Sequence, residues 1–204
     1  MIDLKDIRIV IFDFDSTIIR EEALDELARF MNKFDQVNEI TNSAMNGEMS
    51  FKESFKKRIE IIDPTDKDMT KFLESKQFNL THGVLELIQF LQSNSVQVFI
   101  VSGGLRVFIE PFAKDLGIPI ENIYCNSLTF TASGKCSINE RQYNFSDDRK
   151  TKSLVEILSR VYPDLPAEEA GKFSLVIGDG MTDSRMCPPA GVFFAFCGNV
   201  HRTS

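Results

Sequence analysis

The apolar positions of the chain fall in four short runs that are typical of buried strands. These runs span residues 8–15, 96–104, 173–180 and 191–199. Three of the four end in clusters of glycine or aspartate, the residues that favour turns. The residues that could take part in binding or catalysis therefore lie where the predicted strands end.

Helical patterns lie between the later strands. Residues 105–118 and 150–162 carry apolar side chains at spacings of three and four, and these patterns stop near Gly117 and Pro163. Strands that alternate with helices favour βαβ units. We therefore predict an α/β fold of Rossmann type with a mainly parallel, doubly wound sheet. Ligands of such sheets bind at the carboxyl ends of the strands.

A long insertion separates the first two predicted strands. It has about eighty residues, too many for one crossover helix. Much of it has helical periodicity, with Phe51 and Phe55 on one face. We predict a helical cap over residues 20–80, inserted into a core that comprises residues 1–19 and 81–204.

A second, smaller insertion is predicted in the second half of the chain. Residues 126–143 alternate around Ser133 and Gly134. This pattern favours a β-hairpin.

Composition narrows the class of protein. The chain has 204 residues, 43% hydrophobic and 26% charged, which suits one globular domain with an insertion. The net charge of −7 argues against nucleic acid as a partner. No window approaches the ~20 apolar residues of a membrane span, and the charged N-terminus does not resemble a signal peptide. We expect a cytoplasmic protein, monomeric or homodimeric, with no membrane partner.

The cysteines give no sign of a zinc site. Four cysteines are scattered without a Cys-x-x-Cys pair, and the two histidines are far apart. We expect free thiols in a reducing compartment.

Asp13 and Asp15 follow the first predicted strand directly. Residues two apart on an extended strand point the same way, so both side chains are expected to converge on one spot. Two adjacent carboxylates repel, and one of them should take up a proton unless a cation is present. Carboxylate oxygens are the ligands that Mg²⁺ prefers, so the pair indicates a magnesium site.

Two more aspartates follow the third predicted strand. Asp179 lies directly after it, and Asp183 lies one turn further on. A glycine-rich turn that caps a short helix is the plainer interpretation. However, two strand ends with aspartates in one sheet favour the interpretation that these aspartates bind a shared metal.

An anion cradle is predicted after the second strand. Ser102, Gly103 and Gly104 offer a hydroxyl and backbone N–H groups ahead of a helix, although a simple turn with Ser102 as N-cap would have the same sequence. Lys150 and Lys152 lie at the start of a later helix, where a cation opposes the helix dipole. One of these lysines is therefore expected to serve a local anion.

Taken in order, these motifs resemble the haloacid dehalogenase superfamily of phosphohydrolases. The resemblance is carried by Asp-x-Asp-x-Thr, then a serine, then a lysine, then Gly-Asp-Gly-x-x-Asp. In this chain those residues are Asp13, Asp15, Thr17, Ser102, Lys150, Gly178, Asp179, Gly180 and Asp183. Lys150 fits the superfamily pattern better than Lys152.

This resemblance implies Mg²⁺-dependent hydrolysis of a phosphomonoester. Asp13 would attack phosphorus and form a phosphoaspartate, and Asp15 would act as general acid and then general base. The Asp13 carboxylate, the Asp15 backbone carbonyl and Asp179 would hold the metal. Asp183 would orient a metal-bound water or the lysine from behind. The remaining phosphate contacts would come from Ser102, Gly103, Gly104, Lys150 and Thr182.

The resemblance extends to the branch of this superfamily that acts on O-phosphoserine. It is carried by residues 15–28, 44–59, 96–104, 177–183, 187–190 and 198–200. It implies that Glu22 lies near the substrate ammonium group and Arg58 near its carboxylate. Pocket-lining residues implied in the cap are Met45, Asn46, Gly47 and Phe51. Asn46 stands where the family usually has glycine.

Three rival functions stay open from the sequence. The substrate could be another small phosphomonoester, such as phosphoethanolamine or a sugar phosphate, for which Arg58 would have no use. A receiver-like domain that retains its phosphoaspartate also uses Asp, Mg²⁺, a hydroxyl and Lys, but it lacks the role given to Asp15 and would leave the cap idle. A non-catalytic binder of Mg²⁺ and phosphate is the third.

Overall fold

A five-stranded parallel sheet forms the centre of the protein. The structure is a computed structural model that describes residues 4–138 and 148–196. Within these residues the sheet strands are β1 (Ile9–Phe12), β2 (Gln97–Leu105), β3 (Ile123–Asn126), β6 (Ser174–Gly178) and β7 (Val192–Ala195), and an antiparallel hairpin has β4 (Leu128–Phe130) and β5 (Cys136–Ile138). The sheet order is β3-β2-β1-β6-β7. The predicted α/β class, the doubly wound parallel sheet and the small hairpin are therefore confirmed.

Helices surround this sheet. Within the described residues they are α1 (Ala23–Phe30), α2 (Phe34–Met45), α3 (Phe51–Ile62), α4 (Asp66–Ser75), α5 (Val84–Ser93), α6 (Arg106–Asp115), α7 (Arg149–Val161), α8 (Ala167–Ala170) and α9 (Met181–Ser184). Short 3₁₀ helices span Leu4–Asp6, Ile120–Asn122 and Gly171–Phe173. None of the described helices combines the length and hydropathy needed to cross a membrane.

The central strand β1 is buried on both faces, which explains its unbroken apolar sequence. Val10 and Phe12 belong to one hydrophobic cluster, together with side chains of α5 and α6. Ile9 and Ile11 belong to a second cluster, which includes side chains of α7. Alternate residues of one strand thus contribute to two cores, as expected for a parallel sheet covered by helices on both sides.

Helices α1 to α4 occupy the predicted cap. The segment leaves and rejoins the core through an isolated antiparallel bridge between Ile19 and Leu80, beside the predicted boundaries at residues 20 and 80. Its apolar side chains share one hydrophobic cluster with β1 and α6. The division into core and cap stays a prediction, and "cap" is used below for residues 20–80.

Two parts of the core differ from the sequence prediction. The edge strand β3 was not predicted, because its four residues form too short an apolar run beside the hairpin. Residues 162–173 are polar and contain two prolines, which favours a surface loop, but they contain α8 and a 3₁₀ turn, with Ala170 buried. Gly171 packs there so closely that a Cβ would lie 1.8 Å from the Pro189 carbonyl oxygen.

The described cysteines are free thiols. Cys125, Cys136 and Cys187 form no disulfide, and burial raises the pKa of Cys125 to about 12 and that of Cys136 to about 11. Cys197 lies outside the described residues, as do predicted hairpin residues 139–143 and the motif at 198–200.

Phe72 of α4 joins the cap to the core, because its ring lies 5.7 Å from that of Phe108 in α6 and 5.9 Å from that of Phe78. Truncating this buried ring to alanine leaves a cavity. We therefore expect Phe72→Ala to lower the free energy of unfolding by about 3–5 kcal/mol, measured by urea titration. Phe90→Ala is the matched control, since Phe90 is 64% exposed. Similar losses in both variants would contradict this packing role.

Candidate active site

Parallel pairing brings the ends of β1 and β6 together. Phe12 pairs with Ile177, and the Asp13 N–H continues the ladder by donating to the Ile177 carbonyl at 2.9 Å. Asp13 and Asp179 therefore lie at the same carboxyl edge of the sheet. This adjacency is the one predicted from the two acidic strand ends.

Three carboxylates form a cluster at this edge. Oxygens of Asp13, Asp179 and Asp183 all lie within 4.8 Å of one another. Asp183 was expected to orient a metal-bound water or the lysine, and its carboxylate lies in this cluster, 2.7 Å from the Lys150 Nζ. Hard carboxylate oxygens in such a group suit a divalent cation of the Mg²⁺ type.

The Asp15 carboxylate is not part of that cluster. The strand ends at Phe12, and the Phe14 carbonyl then accepts hydrogen bonds from the Ile18 and Ile19 N–H groups in a tight turn. Asp15 therefore lies in a turn rather than on an extended strand, although it lines the same cavity as Asp13. Asp15 Oδ1 instead accepts a hydrogen bond from the Ala23 N–H at 2.8 Å.

Burial and neighbouring charge distinguish Asp15. Loss of solvent and the nearby Glu22 charge raise the pKa of Asp15 well above its ordinary value, and the Ala23 hydrogen bond opposes this only in part. Glu22 itself accepts a hydrogen bond from the Ser16 hydroxyl at 2.6 Å. These contacts favour the protonated form of Asp15.

Lys150 bridges two of the clustered carboxylates. Its Nζ lies 2.9 Å from Asp13 Oδ2 and 2.7 Å from Asp183 Oδ1. Burial lowers the pKa of Lys150, but the two carboxylates raise it by more, so the amine stays charged. Burial, together with the Asp13 charge, raises the pKa of Asp183 to about 7 despite the Lys150 contact.

The structure separates the two candidate lysines. Lys150 is buried at the carboxylate cluster, whereas Lys152 is half-exposed and pairs with Asp148 at 3.1 Å. Successive helix residues point about 100° apart, so two residues along the helix make an angle of about 200°. Lys152 therefore faces away from Lys150. Only Lys150 of the two lines the cavity.

Ser102, Gly103 and Gly104 form an irregular end of β2. Pairing with β3 shifts register between Val101 and Leu105, a bulge of the kind that re-aims groups near sites. The Ser102 hydroxyl accepts a hydrogen bond from the Gly104 N–H at 3.0 Å. The alternative of Ser102 as a helix N-cap is wrong, because α6 begins only at Arg106.

One cavity of about 860 Å³ connects these groups with the cap. The predicted site residues that line it are Asp13, Asp15, Glu22, Met45, Gly47, Phe51, Arg58, Ser102, Gly103, Gly104, Lys150, Asp179 and Thr182. Asn46 is not among them and lies exposed at the end of α2. Asp183 lies behind the lining residues.

Several lining residues were missed by the sequence analysis. They include Asp25, Met49, Tyr124, Asn126, Arg149, Met181 and Arg185. Asn126 donates its side-chain N–H to the Gly103 carbonyl at 2.8 Å, but it follows the unpredicted strand β3. Arg149 precedes Lys150, and Arg185 lies two residues after Asp183. Their positive charge close to these motifs was the signal that could have indicated them as cavity-lining residues.

Comparison with known proteins gives this geometry a family. The haloacid dehalogenase-like hydrolase family matches residues 10–187. The chain belongs to this family. Its predicted superfamily membership is therefore confirmed, and phosphatases of the family are generally metal-dependent, in agreement with the buried acidic cluster.

Relatives of this haloacid dehalogenase-like chain share most of its length. Phosphoserine phosphatase of Homo sapiens is 38% identical over 194 residues, which cover 95% of this chain and 83% of the human protein. A structure described as a phospho-aspartyl intermediate analogue of phosphoserine phosphatase has a TM-score of 0.77 at 27% identity, over 94% of this chain and 87% of that one. A substrate-bound phosphoserine phosphatase complex has a TM-score of 0.75 at 25% identity, with shares of 94% and 86%.

The Lys150 contacts can be tested through stability. In metal-free buffer at pH 8, Lys150→Met would leave Asp13 and Asp183 buried without their common partner. We expect the free energy of unfolding to fall by about 3 kcal/mol, measured by urea titration with a chelator present. Lys152→Met is the matched control and should change it by less than about 1 kcal/mol. Equal effects would rule out the bridging role.

Proposed function

We propose that this chain hydrolyses O-phosphoserine to serine and phosphate through a phosphoaspartate on Asp13, with Mg²⁺ as its metal. The observation that carries the proposal is that Asp13 and Asp15 line one cavity in different environments. Asp13 accepts hydrogen bonds from the Phe14 N–H at 2.7 Å and from the Lys150 ammonium. Asp15 has a raised pKa. Such a contrast separates a nucleophilic carboxylate from a general acid.

In the first step an Asp13 carboxylate oxygen attacks phosphorus and the ester P–O bond breaks. The departing serine oxygen takes the proton of Asp15, which its environment keeps available at neutral pH. In the second step Asp15, now ionised, accepts a proton from a water molecule that attacks the phosphoaspartate. The Asp13–phosphorus bond breaks, and both carboxylates return to their first state.

Phosphate binding falls to the groups around Asp13. Ser102, the N–H groups of Gly103 and Gly104, Lys150 and Thr182 would hold the phosphate oxygens that are not reacting. Asp13, Asp179 and the Asp15 backbone carbonyl would hold Mg²⁺, which neutralises phosphate charge when bound. Asp183 holds Lys150 in place from behind, through the 2.7 Å contact.

The cap supplies the groups for the amino-acid part of the substrate. Glu22 would bind the ammonium group and Arg58 the carboxylate, while Met45, Gly47 and Phe51 cover the remaining surface. All five line the cavity. Names of the relatives support this choice, since both compared structures are phosphoserine phosphatases and one of them is substrate-bound. The cytoplasmic location and the monomeric or homodimeric state stay predictions.

A second candidate is a larger phosphomonoester with a further acidic group. The cavity of about 860 Å³ has the size of a site for a drug-like molecule, well beyond the roughly dozen non-hydrogen atoms of phosphoserine. Arg149 and Arg185 also line it. These two cations favour an additional anionic group on the substrate.

A screen of phosphomonoesters distinguishes these substrates. We expect release of inorganic phosphate to be fastest from phosphoserine, slower from phosphoethanolamine, and lost when a chelator removes the metal. Added Mg²⁺ should restore activity. A preference for a substrate with a second acidic group would favour the larger ligand, and a phosphoprotein that outlasts the assay would favour the receiver-like alternative.

The nucleophile can be tested directly. Asp13→Asn replaces the nucleophilic carboxylate by a neutral amide, whose oxygen is a far weaker nucleophile, so kcat should fall on the order of a thousandfold or more, measured by phosphate release from phosphoserine. Asp115→Asn is the control, because Asp115 lies exposed at the end of α6. Substantial activity in Asp13→Asn would exclude this residue as nucleophile.

The substrate assignment can be tested at Arg58. Loss of a charge-assisted hydrogen bond to the substrate carboxylate should lower kcat/KM of Arg58→Ala for phosphoserine about 10- to 100-fold. Turnover of phosphoethanolamine, which lacks that carboxylate, should change little. Lys52→Ala, an exposed cation on the same helix, is the control. An equal loss for both substrates would contradict carboxylate recognition.

A further inference from the structure

Two adjacent glycines at the end of β2 each leave space for a different partner. A Cβ on Gly103 would lie 2.8 Å from Cζ of Phe51, a residue of the cap. A Cβ on Gly104 would lie 2.7 Å from Oδ2 of Asp15 and 3.2 Å from the Ser102 Oγ. Both distances are shorter than non-bonded carbon contacts in proteins. The space that a side chain would occupy is therefore filled by a cap residue at Gly103 and by a core carboxylate at Gly104.

The need for glycine at these positions is spatial. Neither Gly103 nor Gly104 is among the described glycines of positive φ, so the backbone itself would accept alanine. An alanine would be costly only through the atom that its Cβ meets. The effect of an alanine substitution at each glycine therefore depends on the one neighbouring residue that its Cβ would meet.

Phe51 is well placed to fix the position of the cap. It is the first residue of α3, whose start is held by a capping box between Ser50 and Glu53. Its ring stacks on that of Phe55 at 6.0 Å between centroids, and Phe55 is buried in the main hydrophobic cluster. A displacement of the Phe51 ring would therefore be passed to the start of α3.

We propose that Gly103 is a positioning residue for the cap, because its bare Cα is the surface on which the Phe51 ring rests when the cap covers the cavity. Gly104 positions the Asp15 carboxylate in the core, because its bare Cα leaves the space that this carboxylate occupies. One two-residue segment next to Ser102 thus sets the distance of the cap above the site and the place of the acid. The kinetic consequence rests on the proposed function, whereas the contact itself does not.

Alanine substitutions at the two glycines, combined with a smaller residue at position 51, test this proposal. Leucine lacks the three ring atoms of Phe51 that approach Gly103 most closely, at 2.8, 3.4 and 3.7 Å. Gly103→Ala should lower kcat/KM for phosphoserine about tenfold or more, since small displacements at a site cost that much. Measured against Phe51→Leu alone, the double variant Gly103→Ala with Phe51→Leu should show little of that loss.

Gly104→Ala is the matched control on the other neighbour. It should lower kcat because it displaces Asp15, and its Cβ does not meet Phe51. Adding Phe51→Leu to Gly104→Ala should not restore activity. Recovery in both double variants, or in neither, would overturn the assignment of Phe51 to Gly103.

Hydrogen exchange of the substrate-free protein tests the contact without reference to activity. Amides of residues 46–58 should exchange faster in Gly103→Ala than in the unsubstituted protein, should return toward its rate when Phe51→Leu is added, and should be unaffected by Gly104→Ala. Equal exchange in Gly103→Ala and the unsubstituted protein would overturn the proposal. If phosphoserine is not a substrate, the exchange result still decides it.

Discussion

The buried charge cluster of Asp13, Lys150 and Asp183 is the constraint on which the rest of the site depends. Two carboxylates cannot stay ionised at 2.7–2.9 Å from a common point unless a cation lies there. The chain meets this requirement with groups from three elements that follow or begin at the carboxyl edge of the sheet. Gly178 is part of the same arrangement, because a Cβ there would lie 2.4 Å from Asp183 Cγ.

This cluster also explains why the neighbouring carboxylate differs. Asp15 lies outside the bridge, turned toward the Ala23 N–H at the start of the cap, and Glu22 adds negative charge beside it. One pair of aspartates two residues apart is thereby divided into a carboxylate in contact with the Lys150 ammonium and one that favours its protonated form. The division follows from what each side chain can reach after the turn at Phe14.

The cap is connected to this chemistry by packing and by sequence. Its first helix begins with the N–H that binds Asp15, and its third begins with the ring that rests on Gly103. Its apolar side chains share one cluster with β1 and α6. The proposed substrate-binding residues of the cap and the proposed catalytic residues of the core are therefore linked through short contacts across one cavity.

Much of the fold could be predicted because the local signals agreed with the tertiary structure. The runs that became β1, β2, β6 and β7 are apolar and end at turn residues, and α6 and α7 have clear periodicity. The edge strand β3 was not predicted, since four residues carry little periodic signal and form a strand only by pairing with β2. The burial of Ala170 and Gly171 within residues 162–173 was not predicted, because the polar composition of this segment says nothing of the close contact between Gly171 and Pro189.

By itself the sequence determined which residue types lie at the strand ends, since parallel strands place their carboxyl ends at one edge. It thereby predicted Asp13, Ser102 and Asp179 as neighbours, whereas Lys150 was preferred to Lys152 through the family resemblance. Only the tertiary structure placed Lys150 and not Lys152 in the site, brought Asp183 into contact with Lys150, and set the Asp15 carboxylate against the Ala23 N–H. These outcomes depend on helix rotation, on a turn and on space left by glycines, which are set by contacts between distant segments.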